Sequence, residues 1–251
     1  MQKRKEVAKK IKIVYNEYGG NMKRIKKLFT FIFLIALITI TIVGYNGYKM
    51  YKQAINEMPI NKKIDEIKSN KNYTKLTDTT ETFKNAILAV EDHRFYNHKG
   101  IDLISTTKAI VTNLRKKEIV TGGSSITQQL AKNMYFTQKK EFSRKFAEIF
   151  VVSYLEDNLT KDEIFELYIN TIYYGNGYYG IGNASTGYFD KDPNELTDYE
   201  STILAGLPNA PSAYSLKKHK DLAEKRQKQV LDAMVKYKYL TNSEAMQIKG
   251  N

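Results

Sequence analysis

The stretch Asp78-Thr-Thr-Glu-Thr-Phe-Lys-Asn-Ala-Ile-Leu-Ala-Val-Glu-Asp92 decides what kind of fold this chain builds. Asp78 and Glu81 have the spacing of a capping box, and Phe83, Ile87, Leu88 and Val90 follow at intervals that lay one apolar stripe along a helix. The device recurs. Thr160-Lys-Asp-Glu163 precedes Ile164, Phe165 and Tyr168, and Thr197-Asp-Tyr-Glu200 precedes Ile203, Leu204 and Leu207. No stretch shows a convincing period-two alternation of a half-buried strand, and no internal repeat is visible. The spacing therefore predicts a mainly α-helical domain, with glycine-rich loops at 121–125 and 175–187.

Upstream lies Leu28-Phe-Thr-Phe-Ile-Phe-Leu-Ile-Ala-Leu-Ile-Thr-Ile-Thr-Ile-Val-Gly-Tyr45, an uncharged run that reaches the roughly 18 residues a transmembrane helix needs. A cleavable signal peptide has a shorter apolar core, about 7–15 residues, before a small-x-small site, and Gly44-Tyr-Asn-Gly47 offers none. The run reads as an uncleaved single membrane anchor. Ten Lys/Arg within residues 1–27, against Glu6 and Glu17, place +8 of the formal +13 ahead of it, with only Lys49 and Lys52 just after. That asymmetry predicts a cytoplasmic N-terminus and an extracytoplasmic domain. The same block suits the anionic inner leaflet, which removes the reason to invoke nucleic acid. Residues 46–77, rich in Lys, Asn and Tyr, read as a stalk, and 78–251 as one catalytic-sized domain. The absence of cysteine excludes disulfides, a thiolate nucleophile and a cysteine zinc site.

Three segments carry side chains capable of chemistry. The first helix ends in Glu91-Asp92, followed by His93, Arg94, His98 and Gly100. Carboxylates at a helix C-terminus face an unfavourable dipole, and partial burial there lifts a carboxyl pKa towards that of a working acid or base. The alternative is structural: Asp92 pairs with Arg94 and His98 fills a polar pocket. The second segment, Gly122-Gly-Ser-Ser-Ile-Thr-Gln-Gln-Leu-Ala-Lys-Asn133, sets hydroxyls, amides and a lysine behind a flexible turn, a combination able to hold a sugar or phosphate. It reads equally as a polar loop in which Ser124 or Ser125 caps a helix. In the third, Phe142, Phe146, Ile149 and Phe150 form a stripe expected to be buried, with Arg144, Lys145 and Glu148 together on the other side. A solvated face with an ordinary ion pair explains that pattern as well.

Two motif matches fail on context. Gly175-Asn-Gly-Tyr-Tyr-Gly180 spells GxGxxG, but helical signals precede it where a dinucleotide fingerprint needs a strand. Ser105-Thr-Thr-Lys108 and Ser215-Leu-Lys-Lys218 spell SxxK, and neither is followed by Lys-Thr-Gly, so a transpeptidase site is not expected.

Taken in order, the segments resemble the family-51 peptidoglycan glycosyltransferases, both monofunctional enzymes and the glycosyltransferase halves of bifunctional penicillin-binding proteins. The resemblance runs over residues 80–220: Glu91-Asp92 with Phe95, His98 and Gly100; Gly122 to Asn133; Arg144-Lys145-x-x-Glu148; Glu166-Leu-Tyr-Ile-Asn170 with Gly175-Asn-Gly177; Tyr188-Phe189; and Leu204-Ala-Gly-Leu-Pro-Asn-Ala-Pro-Ser212. Ser125 stands where the family often has Thr, Asp190 where Gly is frequent, and Leu216 where Pro is common. The resemblance implies a lysozyme-like, two-lobed helical domain behind the N-terminal transmembrane helix, polymerising lipid II into β-1,4-linked glycan by a single inverting displacement. It implies Glu91 as general base and Glu148 as second catalytic glutamate. Ser124, Thr127, Gln128, Gln129, Lys132, Asn133, Arg144 and Lys145 are implied to bind substrate. On the same resemblance Glu148 is implied to orient the cations or to hold a divalent cation, Mg²⁺ or Mn²⁺, bridging the pyrophosphate. Lipid II, the growing lipid-linked glycan, the cell membrane and other cell-wall synthesis proteins are the implied partners. A lysozyme-like hydrolase or lytic transglycosylase is the rival enzyme, but a glycosidase acid prefers an apolar pocket, whereas these cations suit an anionic leaving group. The third reading is an inactive membrane-bound scaffold that binds lipid precursor, against which both glutamates in context argue.

Overall fold

The structure, a computed structural model, describes residues 2–118, 122–136 and 142–250, with side chains at Met22 and from Arg24 onward within them. Its α-helices, in chain order, are α1 (Gln2–Glu57), α2 (Ile60–Lys68), α3 (Glu81–Glu91), α4 (Leu103–Lys116), α5 (Ile126–Tyr135), α6 (Phe142–Asn158), α7 (Lys161–Thr171), α8 (Ile181–Phe189), α9 (Asp198–Gly206), α10 (Lys220–Lys236) and α11 (Asn242–Gly250). Among the described residues there is no strand, only a bridge between Tyr173 and Tyr179. The fold is mainly α, as the periodicity predicts.

Local chemistry sets most boundaries. Thr160 with Glu163 and Thr197 with Glu200 form the expected capping boxes of α7 and α9, and Ser125 with Gln128 forms a third on α5. Each such cap is worth about 1 kcal/mol. At α3 the expected box shifts: the cap is Thr80, whose hydroxyl accepts from the Phe83 amide, while Asp78 closes a short 3₁₀ turn. The loop expected over 175–187 also ends early, because α8 starts at Ile181. Its last turn explains one departure from the family pattern. Asp190 follows α8 in the left-handed conformation at φ 55°, the C-terminal position that favours glycine and tolerates Asp.

The core lies among α3, α5, α7, α9 and α10, around Phe83, Ile87, Leu130, Phe165, Tyr168, Leu204 and Val230. By contrast, α4 stands apart as a smaller lobe. It buries only Ala109, and its Leu103 and Leu114 are each 72% exposed beside Lys108, Arg115 and Lys116.

Three expectations need correction. Residues 46–77 are not a free stalk: α1 continues unbroken to Glu57, and Met50, Ile60 and Ile64 join the core. Glu166 and Asn170 on α7 clip the following segment, Glu166 accepting from the Tyr73 hydroxyl (2.5 Å) and the Leu76 amide (2.7 Å), and Asn170 bonding both amide N–H and C=O of Thr74. On α6 the buried face is Ala147, Glu148, Val151, Val152 and Leu155, whereas Phe142 is 88% exposed and Ile149 and Phe150 are also exposed. The reason is that α6 packs on two sides. Phe146 and Phe150 meet α1 through Gly47, Tyr48 and Tyr51, and the core takes the opposite face, Glu148 included. Finally, Asp92 pairs with His98, and Arg94 with Asp102, instead of Asp92 with Arg94.

Candidate active site

Glu91 is the last residue of α3, and Asp92 caps that helix at φ −159° and ψ 75°, which turns the chain away. The turn is tied down through Asp92, which is buried and accepts from His98 Nε2 (2.9 Å) and from the Ile126 amide (3.1 Å) at the start of α5. The Ser125 hydroxyl, the cap of α5, donates to the Gly100 carbonyl. These bonds lock the end of α3 against the start of α5. One turn into α5, Gln129 Nε2 donates to Glu91 Oε2 at 2.9 Å.

Glu91 keeps some surface as a residue, but its Oε1 is buried without a hydrogen-bond partner. Loss of solvent pushes its carboxyl above the ordinary value, and the neighbouring Asp92 adds to this. The Gln129 hydrogen bond, Arg226 and Lys132 oppose the rise. A carboxyl held in that balance can accept a proton from an alcohol near neutral pH. Beside it opens a cavity of about 240 Å³, lined by Glu91, His93, Ser105, Lys108, Lys236 and Tyr237. His93 stacks on Tyr237 with ring centroids 3.8 Å apart, closing one wall.

A group of cations is linked to the carboxyl through Lys132, whose charge Glu91 feels. Burial and repulsion from Lys145 pull the Lys132 ammonium below its ordinary value, with Arg144 adding to the repulsion and Glu148 and Glu91 opposing it. Glu148 is fully buried beneath the pair that precedes it, with Lys145 Nζ 2.7 Å from Oε2 and Arg144 Nε 3.1 Å from Oε1. Lys145 keeps about half of its side-chain surface in solvent, 48%, so the charge it presents outward is anchored from below by a carboxylate.

The arrangement gathers Glu91, Gln129, Lys132, Arg144, Lys145 and Glu148 in one electrostatic neighbourhood. Ser124 and Asn133 are half-buried at the two ends of the α5 segment. Thr127 departs from the expectation for a substrate contact: it is fully buried and its hydroxyl donates to Glu156 Oε1 (2.5 Å), which also takes Lys161. The side-chain Oε1 of Gln128 accepts from the Ser125 amide at the cap of α5. The residues around Glu148 do not fit a protein-held divalent ion. Both its oxygens face cations, and the one group of three acidic or histidine ligands among the described residues is Asp92, His98 and Asp102. A groove of about 990 Å³ between the start of α9 and α11 contains none of these residues.

Fold and site define a mainly helical domain in which a desolvated carboxylate lines a cavity and is coupled to a cationic patch. The chain belongs to the transglycosylase family, whose model, described as Transglycosylase, matches residues 59–235. It is 44% identical over 169 residues to penicillin-binding protein 1A of Neisseria lactamica, covering 67% of this chain and 21% of that protein. Penicillin-binding protein 1F of Bacillus subtilis (strain 168) is 36% identical over 230 residues, covering 89% of this chain and 32% of that protein. The crystal structure of penicillin-binding protein 1A from Haemophilus influenzae aligns at a TM-score of 0.42 and 25% identity, over 70% of this chain and 17% of that one. The chain thus spans between about a fifth and a third of the length of the curated relatives it matches.

Proposed function

We propose that this chain is a peptidoglycan glycosyltransferase that polymerises lipid II into β-1,4-linked glycan on the outer face of the cell membrane. The observation that carries the reading is the desolvated Glu91 carboxyl, which lines the 240 Å³ cavity and is coupled through Lys132 to the Arg144/Lys145 cations. The acceptor sugar's 4-hydroxyl, seated on the cavity side, attacks the anomeric carbon of the donor and gives its proton to Glu91. As the new C–O bond forms, the bond from that carbon to the pyrophosphate breaks, and its electron pair leaves with polyprenyl pyrophosphate. The anomeric centre inverts in this single displacement. Negative charge gathering on the leaving group meets Lys132, Arg144 and Lys145, held in place before the reaction begins. Glu148 acts as the organiser of Arg144 and Lys145. No step is routed through a metal.

The membrane supplies the substrate. Residues 28–45 of α1 leave their apolar side chains uncovered by the protein, as a lipid-embedded segment requires, and the apolar exposed face of α4 offers a second contact to the same surface. Enzyme and lipid-linked substrate confined to one membrane meet at raised effective concentration.

The test is incubation of the purified full chain with polyprenyl-pyrophosphoryl disaccharide-pentapeptide, with products separated by size. Polymer is expected from the unaltered chain and none from Glu91→Gln, which keeps the shape of the side chain and cannot take the proton. Release of short soluble sugars from finished glycan, with no polymer made from the lipid, would establish the hydrolase instead.

A further inference from the structure

The reading of Glu91 as base leaves a question of orientation. A carboxylate that must take a proton needs a donor, not another acceptor, against the oxygen it does not use. Gln129 can present either, because its amide offers N–H₂ on one side and C=O on the other and reverses by a rotation of its last torsion. What selects the orientation lies behind it. Tyr168, wholly buried on α7, points its hydroxyl at Gln129 Oε1 at 3.5 Å, the long end of hydrogen-bond range. Glu166 and Asn170 flank it at two residues' distance and turn the other way, onto residues 73–76. At about 100° per residue, positions i and i±2 lie on opposite sides of a helix, so α7 has one face for the clip and one for the site.

We propose that Tyr168 is a positioning residue for the base: its O–H engages the Gln129 carbonyl and so fixes the amide with its N–H₂ aimed at Glu91 Oε2. A phenol in this setting keeps its proton and so has an O–H to give that carbonyl, because burial and the neighbouring Glu91 charge push its own ionisation well above the ordinary range. Reversal of the amide would set a carbonyl oxygen against the carboxylate, which raises the carboxyl's proton affinity. The other charged or titratable groups acting on Glu91 are Asp92 beside it, Lys132 from α5 and Arg226 from α10. A second buried phenol, Tyr174 just beyond α7, also feels the Glu91 charge. None of these touches the Gln129 amide in the hydrogen-bond network, so Tyr168 is the group whose loss frees it.

The inference rests on Glu91 being the base, and its test separates the two. The full chain in detergent or vesicles is assayed with the lipid-linked disaccharide-pentapeptide, and kcat/KM is followed against pH for the unaltered protein, Tyr168→Phe, Gln129→Leu and Glu91→Gln. Removing a donor from a carboxylate raises its pKa, so the acid limb moves to higher pH. The shift is expected to be about half a unit to one unit for Tyr168→Phe, where the amide still samples the right orientation, and larger for Gln129→Leu. At the alkaline plateau Tyr168→Phe should approach the unaltered rate, because Phe fills the same buried volume and the base is ionised there regardless. A plateau that falls with the limb unmoved would make Tyr168 a packing residue only and overturn the proposal while leaving Glu91 as base. Glu91→Gln that turns over with an unaltered acid limb would remove the base reading itself, whatever Tyr168→Phe does. Should Tyr168→Phe lose its folded thermal transition, the Gln129→Leu limb decides, and its coincidence with the unaltered limb overturns the proposal.

Discussion

Glu91 stores a cost that the proposed role as base explains. Its folded-state pKa lies above the unfolded-state value near 4.5, so the folded protein binds the proton more tightly. Stability is then lost as pH rises from that unfolded value through the raised folded one, and the loss is complete above it. Glu91→Gln removes the ionisable group and should raise Tm at neutral pH, with the gain shrinking to nothing as the buffer is taken below about pH 4.5. Thermal unfolding of both proteins across that range checks this. A gain that persists unchanged at low pH would mean that the glutamate is strained for a reason other than its charge. The local sequence marked Glu91 as unusual, since an acidic residue ending an apolar helix is visible in one line. It could not reveal the Gln129 bond, made to a residue 38 positions along the chain.

At the scale of elements, a close packing joins α1 to α6, the helix that carries the cation pair. A Cβ added at Gly47 of α1 would lie 2.4 Å from Phe146 Cβ and 2.7 Å from the Ser143 carbonyl of α6, both impossible without separating the helices. At Gly44, one turn earlier, the nearest atoms would be the Phe146 ring at 3.6 Å, an ordinary contact. Gly44→Ala should therefore be neutral or stabilising by up to about 1 kcal/mol from helix propensity. Gly47→Ala should cost about 1–3 kcal/mol through overpacking. The comparison of the two in detergent-solubilised protein is internal, since both add the same methyl group to the same helix. Equal effects would show that α1 does not sit against α6 in this way. Neither glycine stands out in the sequence, where Gly44-Tyr-Asn-Gly47 reads only as the end of an apolar run.

On the scale of the whole molecule, charge and hydrophobicity define an axis. The basic segment, the apolar run and the domain follow in that order, and the positive block sets the expected cytoplasmic end. The absence of cysteine makes the orientation directly measurable, because a single introduced thiol is the only one present. Asp232→Cys, on the exposed face of α10, should react with a membrane-impermeant maleimide in intact spheroplasts, and Lys9→Cys should react only after lysis. The reverse pattern would invert the topology. α4 leaves Leu103, Ile104 and Leu114 exposed among lysine and arginine, the composition of an interfacial helix.

What the sequence by itself determined are features encoded within one or two helical turns. The capping boxes at Thr160 and Thr197, the apolar faces of α7 and α9 and the nearness of Arg144 and Lys145 to Glu148 all follow from i, i+3 and i+4 relations, the uncharged run of 28–45 from composition alone, and the fold contains each of them, the last as a helix long and apolar enough to cross a membrane. Only the tertiary structure decided which of several apolar faces is covered, because burial is set by what packs on a helix from elsewhere in the chain. So the Phe142 side of α6 was readable as a stripe but not as the side left outermost, and Glu148 was readable as an ion-pair member but not as one wholly removed from water. The same reason makes residues 46–77 a packed part of the domain, since Glu166 and Asn170 reach them across more than ninety positions. The proton affinity of Glu91 belongs with these. It depends on burial and on Gln129 and Lys132 of α5 and Arg226 of α10, and no spacing within its own helix records that these groups meet there.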